Sequence, residues 1–213
     1  TYITCEENFD GYFGVSVHSP DKGTWEPTEA QRRYSVTDDA GRYGWCNFDE
    51  RFDLSNPNYT NEHHRFGWCV EIDPRDPDKK PIKRTAMGRF KHEAVAISEL
   101  ADGRIAAYMG DDQRFDYCYK YVSEKPWRDH VAVGESPLDF GTLYVARFDE
   151  LGGEWLELST SNPDLSDWTQ EEILVFSRLA ADAVGATPMD RPEWTTIGKD
   201  GEVYWTLTNN TER

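Results

Sequence analysis

Short runs in which β-branched and aromatic residues partly alternate with polar ones recur along the chain, at residues 66–72, 93–98, 104–109, 117–122, 142–148, 154–158 and 202–207. Patterning with period two is the mark of half-buried strands. Ala101-Asp102-Gly103, Leu151-Gly152-Gly153 and Lys199-Asp200-Gly201 lie between such runs and fit hairpin connections. Many short strands joined by Gly-containing turns predict an all-β fold, a sandwich, barrel or propeller, and the spacing favours a β-propeller. One segment departs from this pattern. From Thr169, an N-cap followed by Glu171 and Glu172, the apolar residues Ile173, Leu174, Phe176, Leu179, Ala180 and Val184 recur at helical spacing, predicting one helix over residues 169–184 that Gly185 stops. Nothing marks an interdomain linker, so residues 1–213 read as part of a single domain. The Pro-containing stretches 56–58 and 73–77 read as loops, and Lys79, Lys80, Lys83 and Arg84 as a solvated basic turn.

Charge narrows the partners. A formal net charge of -17 over 213 residues argues against broad contact with phosphate backbones, so nucleic acid is not an expected partner. A small anion can still be served where bound cations reverse the local sign. No apolar run reaches the length of a membrane span. Cys5, Cys46, Cys69 and Cys118 are too scattered for a zinc ribbon or a disulfide framework. Cys46, Cys69 and Cys118 read as buried thiols, whereas Cys5 has Glu6, Glu7 and Asn8 beside it.

The densest chemistry lies between the predicted helix and the last hairpin, in Gly185-Ala186-Thr187-Pro188-Met189-Asp190-Arg191-Pro192-Glu193-Trp194. Asp190 and Glu193 offer oxygens to a hard cation, Arg191 offers a donor fork for a carboxylate or phosphate, and the two prolines stiffen the backbone. A solvated ion pair is the competing reading of the same residues. Three other segments place ionisable groups at strand ends. Thr4-Cys5-Glu6-Glu7-Asn8 mixes a soft thiolate with hard carboxylates. In Lys91-His92-Glu93, alternation puts Lys91 and Glu93 on one strand face, as a salt bridge or as a substrate cation beside a metal ligand. Asp111-Asp112 and Glu71-Ile72-Asp73 suit calcium and equally suit turns. His63-His64 falls in a polar loop.

Taken in order, Thr4-Cys5-Glu6-Glu7-Asn8, Gly88-Arg89-Phe90-Lys91-His92-Glu93, Tyr108-Met109-Gly110-Asp111-Asp112 and Gly185 through Glu193, followed by Thr206-Leu207-Thr208-Asn209-Asn210, resemble the PhoX family of bacterial alkaline phosphatases. The resemblance spans nearly the whole chain. It implies a six-bladed β-propeller, of which this chain is an incomplete portion of a longer protein, with iron and calcium at its axis and phosphate monoesters as substrates. Carried over by motif, Cys5, Glu93 and Glu193 are the implied iron ligands, and Lys91 and Arg191 face the substrate phosphate. Glu6 and Asp190 are candidates for calcium or supporting roles. The resemblance further implies export to the periplasm or medium. Two alternatives stand beside monoester hydrolysis: a calcium-stabilised propeller that binds without catalysis, and a phosphodiesterase on the same fold.

Overall fold

The computed structural model describes residues 1–39 and 41–212. The chain forms two compact units, Asn8–Gly67 and a larger one made of Thr1–Glu7 with the chain from Trp68 onward. The smaller unit is built from short 3-10 turns and one α-helix, α1 (Glu29–Arg33). Thr28 and Gln31 cap α1 reciprocally. Phe9, Phe13, Val15, Tyr34 and Val36 form its buried centre. Around them Tyr12 stacks on Trp45 at 4.7 Å, and Phe13 meets Phe66 edge-on at 5.5 Å, so rings supply the core that a sheet would otherwise supply. His63 lies in this unit, buried and edge-on to Phe13, and among the described residues it is not grouped with carboxylates or thiols as a metal ligand.

The larger unit is mostly β. Its strands are β1 (Tyr2–Cys5), β2 (Cys69–Ile72), β3 (Ile82–Lys83), β4 (His92–Glu99), β5 (Ile105–Asp111), β6 (Cys118–Ser123), β7 (Gly141–Asp149), β8 (Gly152–Leu158), β9 (Pro192–Ile197) and β10 (Val203–Leu207). They make three antiparallel sheets: β1-β2-β3, the five-stranded meander β4-β5-β6-β7-β8, and the hairpin β9-β10. No closed barrel forms among the described residues. The seven strands and three turns expected from alternation are all present. β1 escapes that pattern because four residues are too few to show a period, and its pairing partner lies far along the chain.

Helices modify the all-β expectation. Besides α2 (Trp127–Ala132), the helix expected over residues 169–184 is two, α3 (Gln170–Val175) and α4 (Ser177–Ala183), separated at Phe176 with φ -112 and ψ 41. Thr169 is the N-cap expected and forms a capping box with Glu172, and Gly185, in the left-handed region (φ +72), ends the segment as expected. The break has a physical cause. Carbonyls needed to continue the helix are taken elsewhere: Arg89 N donates to Leu174 O at 2.9 Å, Ser177 Oγ donates to Leu174 O at 2.8 Å, and Arg89 Nη1 donates to Val175 O at 3.3 Å. Ile173, Ala180, Ala181 and Val184 then pack with Leu143, Val145 and Leu158 of the meander in one core. Full burial of a side chain such as Ile173 or Leu143 contributes roughly 1.5–3 kcal/mol.

The hairpin β9-β10 is docked on β5 by two devices. Trp205 Nε1 donates to Met109 O at 3.2 Å. Gly110 lets the backbones touch: a Cβ there would sit 2.4 Å from Pro192 O and 2.8 Å from Glu193 O. The basic turn is not solvated at Arg84, which is buried and pairs with Glu71 and Asp139 at 2.5 and 2.6 Å. Glu71 thereby has a guanidinium partner.

Candidate metal centre

Adjacent carboxylates in an extended chain point to opposite sides, and two such pairs frame the centre. After β1, Glu6 turns to Lys83, with Oε1 2.7 Å from Nζ, and its Oε2 accepts from Trp68 N at 3.1 Å. At the end of β5, Asp111 turns inward to Arg178, 2.5 Å away, and both are fully buried. The other member of each pair, Glu7 and Asp112, joins Glu93 of β4. The candidate ligand oxygens of Glu7, Glu93 and Asp112 lie within 4.8 Å of one another.

Glu93 is placed there by an irregularity. The ladder between β4 and β5 slips between His92 and Val95, a bulge of the sort that re-aims side chains beside functional sites. Simple alternation therefore does not govern this part of the strand. Burial, and then the carboxylates of Glu7 and Asp112, push the Glu93 carboxyl up to about 7. Two unit charges at 4.8 Å repel by roughly 3 kcal/mol at an effective dielectric constant of about 20. A bound cation would remove that penalty, so the donor set fits a hard metal ion.

Cys5 stands opposite Cys69 in the β1-β2 ladder. The Cys69 thiol lowers the Cys5 value against opposing burial, and Glu93 and Glu7 oppose it electrostatically, so the sulfur lies within electrostatic reach of the acidic group. Cys69 itself is raised well above the usual thiol range by its Cys5 neighbour and by burial. Cys46, Cys69 and Cys118 are buried free thiols, as expected. His92, between two candidate site residues, is structural: burial pushes it down to about 4, Nε2 donates to Gly88 O at 2.9 Å, and Nδ1 lies 3.3 Å from Cys69 Sγ.

Arg191 approaches from the segment after α4. Its φ of 54 is unusual for a residue with a side chain and is held by its surroundings. Thr187 N donates to Ala146 O, Met189 N to Asp116 O and Thr208 N to Asp190 O, at 3.1, 2.9 and 2.9 Å, and Pro192 on the other side stands opposite Leu207 in the β9-β10 ladder, so the strained residue is anchored on both sides. Arg191 Nη2 donates to Asp112 Oδ2 and its Nε lies by Asp112 Oδ1, both at 2.9 Å; Glu193 Oε1 is 3.4 Å from Nη2. Glu193 also accepts from Thr208 Oγ1 at 2.9 Å. Lys91 is buried; its Nζ donates to Gln113 Oε1 at 3.1 Å, and its carbonyl accepts from Asp112 N at 3.1 Å. Asp190 accepts from Asn210 Nδ2 at 2.8 Å, which makes it a brace for the segment after β10.

Cys5, Glu93, Glu193 and Arg191 are thus linked to one acidic centre, with Lys91 joined to it through Asp112. Glu6 and Asp190 have partners of their own outside the three-carboxylate group. Glu7 and Asp112 were absent from the expected ligand set. The signal for them was the doubling of carboxylates at Glu6-Glu7 and Asp111-Asp112, from which one member each is turned to structure.

Fold and site together define the class: an antiparallel β-sheet protein with an acidic centre suited to cations, flanked by Lys91 and Arg191. The family model described as alkaline phosphatase PhoX matches residues 1–213, and the chain belongs to that family. Among solved structures, Pseudomonas fluorescens PhoX in complex with vanadate, a transition state analogue, is similar, with 47% identity and a TM-score of 0.88. That match covers 100% of this chain and 38% of the solved one. A search among curated proteins finds no match.

Proposed function

We propose that the protein carrying this chain hydrolyses phosphate monoesters at a cation centre held by Glu7, Glu93, Asp112, Glu193 and Cys5. The observation that carries the reading is the convergence of Glu7, Glu93 and Asp112, with Arg191 clamped on Asp112. The family match and the vanadate complex of the similar structure support phosphoryl chemistry. The donor set suits two kinds of metal, calcium for the carboxylate oxygens and iron for a site that includes the Cys5 thiolate. Bound there, the cations would polarise phosphoryl oxygens and offset the negative field of the chain.

The protein's own groups have separable tasks. Arg191 spends Nε and Nη2 on carboxylates, which leaves the Nη1 edge for an incoming phosphate oxygen. Lys91, desolvated and tethered to Gln113, supplies a second fixed positive charge. Because both are preorganised, little reorientation is needed as charge develops on the transferring group. Glu6 and Asp190 keep supporting roles, the first fastening β1 to its sheet and the second the turn before β9. The sheets are read as blades of an incomplete propeller within one domain, and export is part of the same proposal by family likeness.

Glu93→Gln and Cys5→Ala in the intact protein are the test. Loss of bound iron together with at least a hundredfold loss of p-nitrophenyl phosphate hydrolysis is expected, on the order of removing one principal stabilising group. Retention of both metal and activity in either variant would end the reading. The all-oxygen composition of the Glu7, Glu93 and Asp112 group also favours a second reading, calcium bound for structure alone; elemental analysis showing calcium without iron, in an inactive protein, would select it.

A further inference from the structure

Arg178 carries no role in the scheme above, yet it is one of the largest fully buried side chains. It sits on α4, and its guanidinium forks onto Asp111: Nε donates to Oδ2 at 2.7 Å and Nη2 to Oδ1 at 2.5 Å. Asp116 Oδ2 lies 3.6 Å from Nε. A two-point clamp fixes the plane of the Asp111 carboxylate as well as its position. That orientation matters, because Asp111 Oδ1 also accepts from Lys91 N at 3.1 Å. From Lys91 the chain of bonds continues: its carbonyl accepts from Asp112 N, and Gln113, the partner of Lys91 Nζ, donates its own N to Asp111 O at 2.7 Å. Every member of this set is within two bonds of Asp111.

We infer that Arg178 is a positioning residue for the phosphate site: through Asp111 it sets Lys91, Gln113 and Asp112 in register, so that the Lys91 ammonium and the Asp112 anchor of Arg191 face the same substrate. A purely structural ion pair would be a poor use of two desolvated charges, since buried pairs are often replaceable by apolar residues without loss of stability. The bidentate geometry, and the onward bond to the backbone of Lys91, are what an apolar replacement could not reproduce. The carboxylates that Arg178 meets here, Asp111 and Asp116, are not candidate ligands, so its effect on the site passes through the backbone of residues 111–113 and 91.

The inference rests on the phosphatase reading for its readout, and the test separates the two. In the intact, metal-loaded protein, Arg178→Lys keeps the charge but loses the fork, and the paired replacement Arg178→Met with Asp111→Leu removes the charges while keeping bulk. KM and kcat for p-nitrophenyl phosphate, the inhibition constant of inorganic phosphate, metal content and the thermal midpoint are measured for each. Expected is at least a tenfold weaker phosphate inhibition and a raised KM in both, with metal content unchanged and the paired variant melting close to the parent. Normal phosphate affinity in a folded variant, or failure of both variants to fold, gives Arg178 a structural role alone and overturns the inference. An inactive parent protein would instead sink the phosphatase reading, while a parent that is active and variants that match it sink only this one.

Discussion

Glu93 has the most perturbed carboxyl of the centre, and its perturbation has a sign that can be measured. Its folded value, about 7, exceeds the ordinary 4.5 because burial and two neighbouring carboxylates oppose ionisation. A carboxyl raised on folding stabilises the fold while it is protonated. That contribution is fully present below about 4.5 and is lost as pH rises through about 7. In the chelator-treated protein the thermal midpoint should therefore fall from about pH 5 to about pH 8, and Glu93→Gln should flatten the fall. An equal decline in the variant would remove Glu93 as its cause. Arg191 makes a second point at the same level. Lysine in its place cannot fork onto Asp112, so Arg191→Lys should weaken phosphate inhibition by tenfold or more, about 1.4 kcal/mol, even though the charge is kept.

Elements hold these side chains because of local departures from regularity. The bulge in β4 turns Glu93 toward Glu7 and Asp112, and Gly110 in β5 gives β9 room to bring Glu193 and Arg191 alongside. Gly110→Ala would set a methyl 2.4 Å from Pro192 O, a backbone atom that cannot swing away. The expected cost is about 1–3 kcal/mol, with overpacking of this kind also displacing the Glu193 strand. Denaturant unfolding together with calcium titration checks it, and a variant equal to the parent in both would show that the strands separate more easily than the packing indicates. The break between α3 and α4 has a similar origin. Helical periodicity was legible in the sequence, but the capture of the Leu174 and Val175 carbonyls by Arg89 was not, since Arg89 lies more than eighty residues away along the chain.

For the molecule as a whole, a net charge of -17 favours association with cations, and on the proposed function a bound cation would stabilise the fold as well. Binding to the folded state alone adds about 2.7 kcal/mol at a hundred times the dissociation constant. Calcium added to the chelated protein should accordingly raise its thermal midpoint, and the rise should vanish when Glu7, Glu93 and Asp112 are replaced by their amides. A rise that persists in that triple variant would locate the stabilising cation elsewhere.

The sequence alone was enough for the strands with clear alternation, their Gly turns, the Thr169 cap, the acidic and thiol motifs, and the family. Each is written in neighbouring residues, where period, turn chemistry and motif order can be read without knowing what lies across the fold. Tertiary structure alone decided which carboxylates share a centre. Glu6 and Glu7 are chemically alike, as are Asp111 and Asp112, and no local rule separates them. Lys83 claims Glu6 and Arg178 claims Asp111, so their neighbours are left to meet Glu93, and that division depends on which cation the fold carries to each side of the strand.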